Sequence, residues 1–304
     1  MISILIPCYD FNALPLVKKL EKQALILGIT YEIICIDDGS FSPLNEGNQQ
    51  INALTNCQFI ESKKNIGRIA NRKLLAEKAQ YNWLIFIDVD TIPKNENYLE
   101  TYLKYIDKTD VIFGGFSYKK DSYSEQTSLR YTFGINREQV SGKKRMKKPF
   151  KYIISSNYMI NKQIFDKIEI PIGINGYGLD YFFGASLKYN KAKIIHIDNE
   201  VYHYGLDENQ DFIEKTRFAL DNLKYMYKNN YLKRHDISIL KSYKILKGLL
   251  LTKIFYAIIN TINSKLEANL ISKKPNMIAF DIYIHGMVVE VLGGVLVCIS
   301  AILP

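Results

Sequence analysis

The sequence predicts an α/β protein with a mostly parallel central sheet and a helical C-terminal appendage. Three observations carry that prediction. Apolar runs of strand length alternate with amphipathic helical stretches over roughly the first hundred residues, and strand–helix alternation is the pattern of a parallel sheet. Three of the apolar runs end in polar or acidic residues, at Pro7/Tyr9, Asp37/Asp38 and Asp88/Asp90. The charge balance then shifts near Lys233, where a boundary between residues 1–232 and 233–304 is placed.

Taken in order, Ile2–Ile6 of "MISILIPCYD" is a short continuous apolar run of buried-strand type. Leu14, Val17, Leu20, Ala24 and Leu27 follow at helical spacing, closed by Gly28. "YEIICIDDGS" reads as a strand ending in a polar turn, and "CQFIES" as a shorter strand. "NIGRIANRKLLAEKAQ" carries a helix and "WLIFID" the next strand. Beyond these, "VIFGGFSY" and "YIISSNYMI" are strand-like, and Gly142–Lys151 ("GKKRMKKPFK") is a basic loop. "GINGYGLDYFFGASLKYN" joins a glycine-rich turn to a helix from Asp180 onward, and "AKIIHIDNEVYHYGLDEN" alternates as a strand ending near His203. In open sheets of this kind ligands sit beyond the carboxyl ends of the strands, so polar chemistry collects along one edge.

Bulk properties narrow the class. At 304 residues, 47% hydrophobic and 23% charged, the chain is long and apolar enough for a substantial core. Cys8, Cys35, Cys57 and Cys298 show neither CxxC spacing nor a cluster with histidine, which suits small hydrophobes in a reducing cytoplasm. The N-terminus lacks a basic n-region, so it is expected to be a first strand and not a signal peptide. Of the net +9, Lys233–Lys274 supplies nine Lys/Arg against two acids, or +7. The rest is nearly balanced, so no nucleic-acid partner is expected. A glycine fingerprint after the first strand, a P-loop and a serine nucleophile elbow are all missing, which removes the usual support for dinucleotide, ATPase and hydrolase readings.

The acids of "WLIFIDVDTIP" ask for a cation. A carboxylate beside a buried strand is costly unless something positive meets it. Asp88 and Asp90 are alternate residues of an extended segment and can face one ligand. Two carboxylates at a strand end are often only solvated turn residues. A hard divalent ion with oxygen ligands, itself bridging to phosphate oxygens, is the functional reading of the same pair.

Together "ISILIPCYD", "EIICIDDGS", "NIGRIANRKLLAEKAQYNWLIFIDVD", "GYGLDYFFG" and "HIDNEVYH" resemble glycosyltransferase family 2 with the GT-A fold, in the bacterial surface-polysaccharide branch that also shows stretches like "LRYTFGINRE" (Leu129–Glu138). The resemblance covers roughly residues 1–225. It implies a metal-dependent inverting transfer of a hexosyl or N-acetylhexosaminyl group from a nucleotide-sugar donor, UDP-linked, to a glycan or polyprenyl-linked acceptor. Pro7 and Tyr9 would line the base pocket, and Asp38 would accept a hydrogen bond from the base. Arg68 and Arg72 would lie near the nucleotide or its phosphates, with Asp88 acting through ribose or water. Asp90 and His203 would bind Mn²⁺ or Mg²⁺, while His196 reads as structural. Asp180 would be the general base that takes the acceptor's proton. Relatives often carry an acid pair where this chain has Leu179-Asp180, and "RN" where it has Arg72-Lys73. The missing acid favours the alternative, a catalytically inactive GT-A-fold scaffold.

The basic loop would reach toward an acidic or phosphorylated acceptor, although exposed lysine runs are usually just solvated. In the appendage, "YKILKGLLLTKIFYAIINTI" interleaves Lys244, Lys247 and Lys253 with large apolar residues, as an interfacial amphipathic helix does. "IYIHGMVVEVLGGVLVCISAILP" has bilayer length but contains His285 and Glu290. The expectation is helices packed on the catalytic domain and lying against the inner face of the cytoplasmic membrane. A true membrane span and an ordinary buried helical hairpin are the other readings.

Overall fold

Ile2, Ile4, Leu5 and Ile6 are fully buried, and the strand they form, β1 (Ile2–Cys8), lies in the middle of the sheet. The computed structural model describes residues 1–169, 171, 174 and 176–293; Cys298 and the apolar tail from Gly294 lie outside the described residues. The other strands are β2 (Tyr31–Asp37), β3 (Cys57–Glu61), β4 (Trp83–Ile87), β5 (Thr91–Pro93), β6 (Val111–Phe113), β7 (Phe116–Ser117), β8 (Asn157–Asn161), β9 (Ile194–His196) and β10 (Val201–His203). Among the described residues a seven-stranded sheet runs β3-β2-β1-β4-β8-β6-β9, and β8 alone runs against its neighbours. The architecture is thus α/β, with a mostly parallel central sheet and a helical C-terminal region.

The period-two alternation of strand side chains divides the core between two faces. Ile4, Ile6, Ile33 and Cys35 pack under α1 (Leu14–Leu27) and α4 (Tyr98–Leu103), with the short α2 (Leu44–Asn48) beside them. Leu5, Ile34, Ile36 and Phe86 point the other way, to α3 (Arg68–Lys78), with Leu187 of α8 (Leu179–Tyr189) in the same cluster. Gly28 ends α1 in the left-handed conformation at φ 59°, which glycine adopts without steric cost.

Several irregular stretches depart from the sequence reading. Gly114 and Gly115 split "VIFGGFSY" into β6 and β7, and the run through His196 and His203 is two strands in two sheets. The second sheet, β5-β10-β7, is tied to the first by Asn157, whose amide is fully used. Tyr98 and Tyr102 donate to its Oδ1 at 2.8 and 2.7 Å, and its Nδ2 donates to the carbonyls of Gly115 and Asn199 at 2.8 and 2.9 Å. A fully satisfied buried network fixes position sharply. After α5 (Ser128–Phe133), Gly134–Glu138 forms a π-helical turn. The expected basic loop contains a helix, α6 (Gly142–Met146), because Arg145 is not a surface charge: it is fully buried and donates to the carbonyls of Gly114 (3.2 Å) and Ile197 (2.6 Å). His196 is buried, stacked on Phe113 and held by Pro149, and burial lowers its imidazole to about 4.

After α7 (Lys162–Asp166) and α8, the helices α9 (Asn209–Lys228), α10 (Ser238–Gly248), α11 (Thr252–Leu270) and α12 (Met277–Gly293) build a further core. It straddles residues 232 and 233: Ile213, Leu220, Leu223 and Met226 pack with Leu240, Tyr243, Leu266, Leu270, Phe280 and Tyr283. Among the described residues no single helix is long and apolar enough to cross a membrane; α10 and α11 pass that test only as a pair, bent by 116°.

Candidate active site

A cleft of about 990 Å³ opens beyond the carboxyl ends of β4 and β10. Asp88, Asp90, Arg68, Asp180 and His203 line it, together with Arg130, Glu138, Ser155, Tyr177 and Lys215. The helical core closes its far side through Ile237, Phe280 and Ile284, and the Arg137–Asp281 ion pair (2.5 Å) ties the π-turn to α12.

Asp88 is met from α3. Gly67, at φ 89°, turns the chain into that helix, and Arg68 and Arg72 then fall on one face, one turn apart. Arg72 Nη2 bonds Asp88 Oδ1 directly, and Arg68 Nη2 stands 3.5 Å from Oδ2. Burial opposes the charge on Arg72, but Asp88, Tyr158 and Asp180 outweigh it and raise its pKa. Arg68 also lies over the Tyr177 ring at 5.5 Å, and Lys215, paired to Asp207, lies over the same ring at 5.1 Å. Asp88 thus spends its charge on arginine.

Asp90 faces the other way, to β10. The antiparallel ladder sets His203 opposite Thr91, so His203 Nε2 reaches Asp90 Oδ2 at 3.3 Å, and Tyr204 N–H donates to the Asp90 carbonyl at 3.0 Å. Gly205 makes the approach possible, because a Cβ there would stand 2.3 Å from Asp90 Oδ2. Burial works against the Asp90 carboxylate, yet the His203 contact and Arg68 bring its pKa below the ordinary value. His203 Nδ1 is buried without a hydrogen-bond partner, between the rings of Phe116 (5.6 Å) and Tyr118 (6.0 Å). Tyr118 donates to Glu138, which also pairs with Arg130 at 3.0 Å; Arg130 and Tyr118 overcome burial and hold the Glu138 carboxyl low.

Asp90 Oδ2 and His203 Nε2, 3.3 Å apart at the cleft, could supply two ligands to a divalent cation. Among the described residues no group of three or more His, Cys, Asp and Glu side chains could hold a metal, so water and a ligand's oxygens would complete the shell.

Asp180 is the second residue of α8, after Gly178 at φ 88°. A Cβ on Gly178 would stand 2.7 Å from the Ala219 carbonyl, so glycine lets α9 press the helix start into the cleft. Burial raises the Asp180 carboxyl, against the pull of Arg68, a hydrogen bond from Ser155, and Arg72. Protein crowds the group closely, yet the cleft leaves the residue open to solvent. Beside it a 120 Å³ apolar pocket is lined by Arg72, Tyr158, Phe165, Phe182 and Phe183.

Pro7, Tyr9 and Asp38 come together at the ends of β1 and β2, apart from the residues that line the cleft. Tyr9 is 57% exposed, while Asp38 is buried. The Asp38 oxygens each accept a backbone N–H, from Ile66 and Gly67, at 2.8 Å. Asp37 accepts from the Ser40 N–H (2.9 Å) and hydroxyl (2.7 Å). Sequence reasoning gave no role to Arg130, Glu138 or Gly205. The stretch "LRYTFGINRE" and the glycine after "VYHY" were the signals that could have found them.

A family model described as glycosyl transferase family 2 matches residues 3–169. No curated protein matches the chain. Among solved structures, S. aureus TarS is 18% identical at a TM-score of 0.48 over 72% of this chain; this chain covers 39% of that one, about two fifths of its length. TarS 1–349 in complex with UDP-GlcNAc is 16% identical and the same fragment in complex with UDP is 17% identical, each at a TM-score of 0.49 over 96% of this chain and 90% of that one. The family match runs from β1 through β8 and α7, more than half of the sequence and every strand that carries Asp38, Asp88 and Asp90 to the sheet edge: the chain belongs to glycosyl transferase family 2.

Proposed function

We propose that this chain is a metal-dependent inverting glycosyltransferase, taking a sugar from a UDP-linked donor and passing it to a glycan or polyprenyl-linked acceptor of a bacterial surface polysaccharide. The observation that supports it most is the convergence of Asp180, Arg68 and the Asp90–His203 pair on one cleft. The acceptor hydroxyl lies against Asp180, whose carboxylate takes the proton as the oxygen bonds to the anomeric carbon. The bond from that carbon to the diphosphate oxygen breaks, and its electron pair leaves with the nucleoside diphosphate. A raised carboxyl is a stronger base than an ordinary aspartate and suits this step.

Arg68, at the cleft edge of α3, supplies positive charge where the diphosphate departs, while Arg72 keeps Asp88 neutralised beneath it. Asp90 Oδ2 and His203 Nε2 would hold Mn²⁺ or Mg²⁺, which when bound offers further positive charge to the leaving group. The exposed ring of Tyr9 would stack on a nucleobase, and each Asp38 oxygen, which accepts one backbone N–H, would offer it a second lone pair.

The test is nucleotide release from a panel of UDP- and GDP-linked hexoses and N-acetylhexosamines. We expect UDP to be freed from one UDP-sugar with Mn²⁺ and the reaction to stop with EDTA. Donor binding without release from any member of the panel would instead favour an inactive scaffold, the reading to which Leu179 in place of an acid points.

A further inference from the structure

The elbow between α10 and α11 has an apolar surface that the helical core does not use. The two helices turn through 116° across Leu249, Leu250 and Leu251. Their core side is occupied, with Leu240, Tyr243, Ile259 and Leu266 buried. On the outer side Ile245 is 64% exposed and Leu250 85% exposed, and Leu249, Leu251, Ile254 and Ile258 are exposed beside them. Six large apolar side chains within fourteen consecutive residues exceed the scatter expected of a soluble surface.

Two further features say what covers this surface. Leu250 sits at φ 57°, a left-handed conformation that costs a leucine roughly 1 kcal/mol or more and that glycine would take without strain. The chain has a glycine two residues earlier, Gly248, yet keeps leucine at the strained and most exposed point. The elbow is also ringed by one sign of charge. Lys241–Lys253 holds Lys241, Lys244, Lys247 and Lys253 and no acid. Lys241 reaches back to Asp236 at 3.4 Å and Lys244 lies over the Tyr227 ring at 5.5 Å, while Lys247 and Lys253 flank the leucines on either side of the bend. A second protein surface would answer the leucines alone; a leaflet of anionic lipid answers both the leucines and the lysines, acyl chains below and phosphates above.

The geometry points to the Leu249–Leu251 elbow as a wedge that enters an anionic bilayer surface, with Ile245, Ile254 and Ile258 following it and the lysines at the headgroup level. This is a seat on the membrane and not a crossing. It also places the cleft. Ser238 and Ile239, at the start of α10, line the cleft, and the eleven residues of α10 separate them from the elbow by about 16 Å at the helical rise. An acceptor held in the leaflet by its own lipid anchor would then reach the cleft without leaving the membrane. The wedge does not depend on the donor reading and is tested without any nucleotide.

The experiment is flotation of the full chain with phosphatidylcholine vesicles, with and without roughly 30% phosphatidylglycerol, at low and high salt. The wild type is expected to float with the anionic vesicles, less so at high salt. Leu249→Ser, Leu250→Ser and Ile254→Ser together should weaken that binding by at least about tenfold. Lys247→Gln should weaken it by about fivefold. All the substituted residues are exposed, so an unchanged melting temperature certifies the fold of each variant. Two results overturn the wedge. One is a wild type that stays with the buffer for both vesicle types. The other is a wild-type dimer in sedimentation that the leucine substitutions dissociate, which would make the elbow an interface between copies.

Discussion

Asp180→Asn is expected to lower sugar transfer by about 10²- to 10⁴-fold while leaving UDP affinity within about twofold of wild type. The amide keeps the shape of the side chain and its hydrogen-bonding reach to Ser155, but it cannot take the acceptor's proton. Loss of rate without loss of binding separates a base from a donor ligand. The pH dependence gives a second check. Transfer needs the ionised carboxylate, so activity falls as pH drops through its pKa. Because burial raises that pKa, the acid limb should lie above the range of an ordinary aspartate. Transfer by Asp180→Asn at the wild-type rate would remove Asp180 from the chemistry.

The two acids of the "DVD" turn should fail in different ways. Asp88→Asn takes the charge from a carboxylate that meets two arginines, one of them largely buried. An uncompensated guanidinium then remains beneath the cleft, and a loss of about 3 kcal/mol is expected, seen as a melting temperature lower by several degrees. Asp90→Asn should cost less stability, since the amide can still hydrogen-bond to His203 across the same contact. It should instead abolish the effect of Mn²⁺ on nucleotide binding and lower transfer. Parallel thermal denaturation and UDP titrations with and without Mn²⁺ distinguish the pair; equal destabilisation by both would mean that the structure has divided their roles wrongly.

The central sheet was legible because its cues are local. Ile2–Ile6, Tyr31–Asp37 and Trp83–Ile87 are apolar runs whose ends are marked by a proline or an acid, and the helix after Pro15 carries its own period and its own glycine stop. Position along the chain also put Asp88, Asp90, Asp180 and His203 at element ends, which is why they were open to recognition at all. Contacts made only through pairing were not legible. Nothing in "HIDNEVYH" says that the run breaks at Ile197–Glu200 and that its second half turns to pair with β5, yet that ladder is what brings His203 to Asp90. Glu138 enters the cleft through a π-turn that no periodicity announces. Arg145 looks like one more charge in a lysine-rich loop, and only the packed structure shows two carbonyls awaiting its guanidinium. The boundary read from charge near Lys233 is real in composition, but a shared core runs across it.

The most direct test is thermal denaturation of the full chain with UDP and with GDP, each in the presence of Mn²⁺ and of EDTA. A ligand at about a hundred times its dissociation constant stabilises a folded protein by roughly 2.7 kcal/mol, which raises the melting temperature by several degrees. The account predicts such a rise for UDP with Mn²⁺ and its loss with EDTA. Unchanged melting of the folded protein with both nucleotides, with and without Mn²⁺, would contradict a nucleotide-sugar site in this cleft and return Asp88 and Asp90 to the role of turn acids.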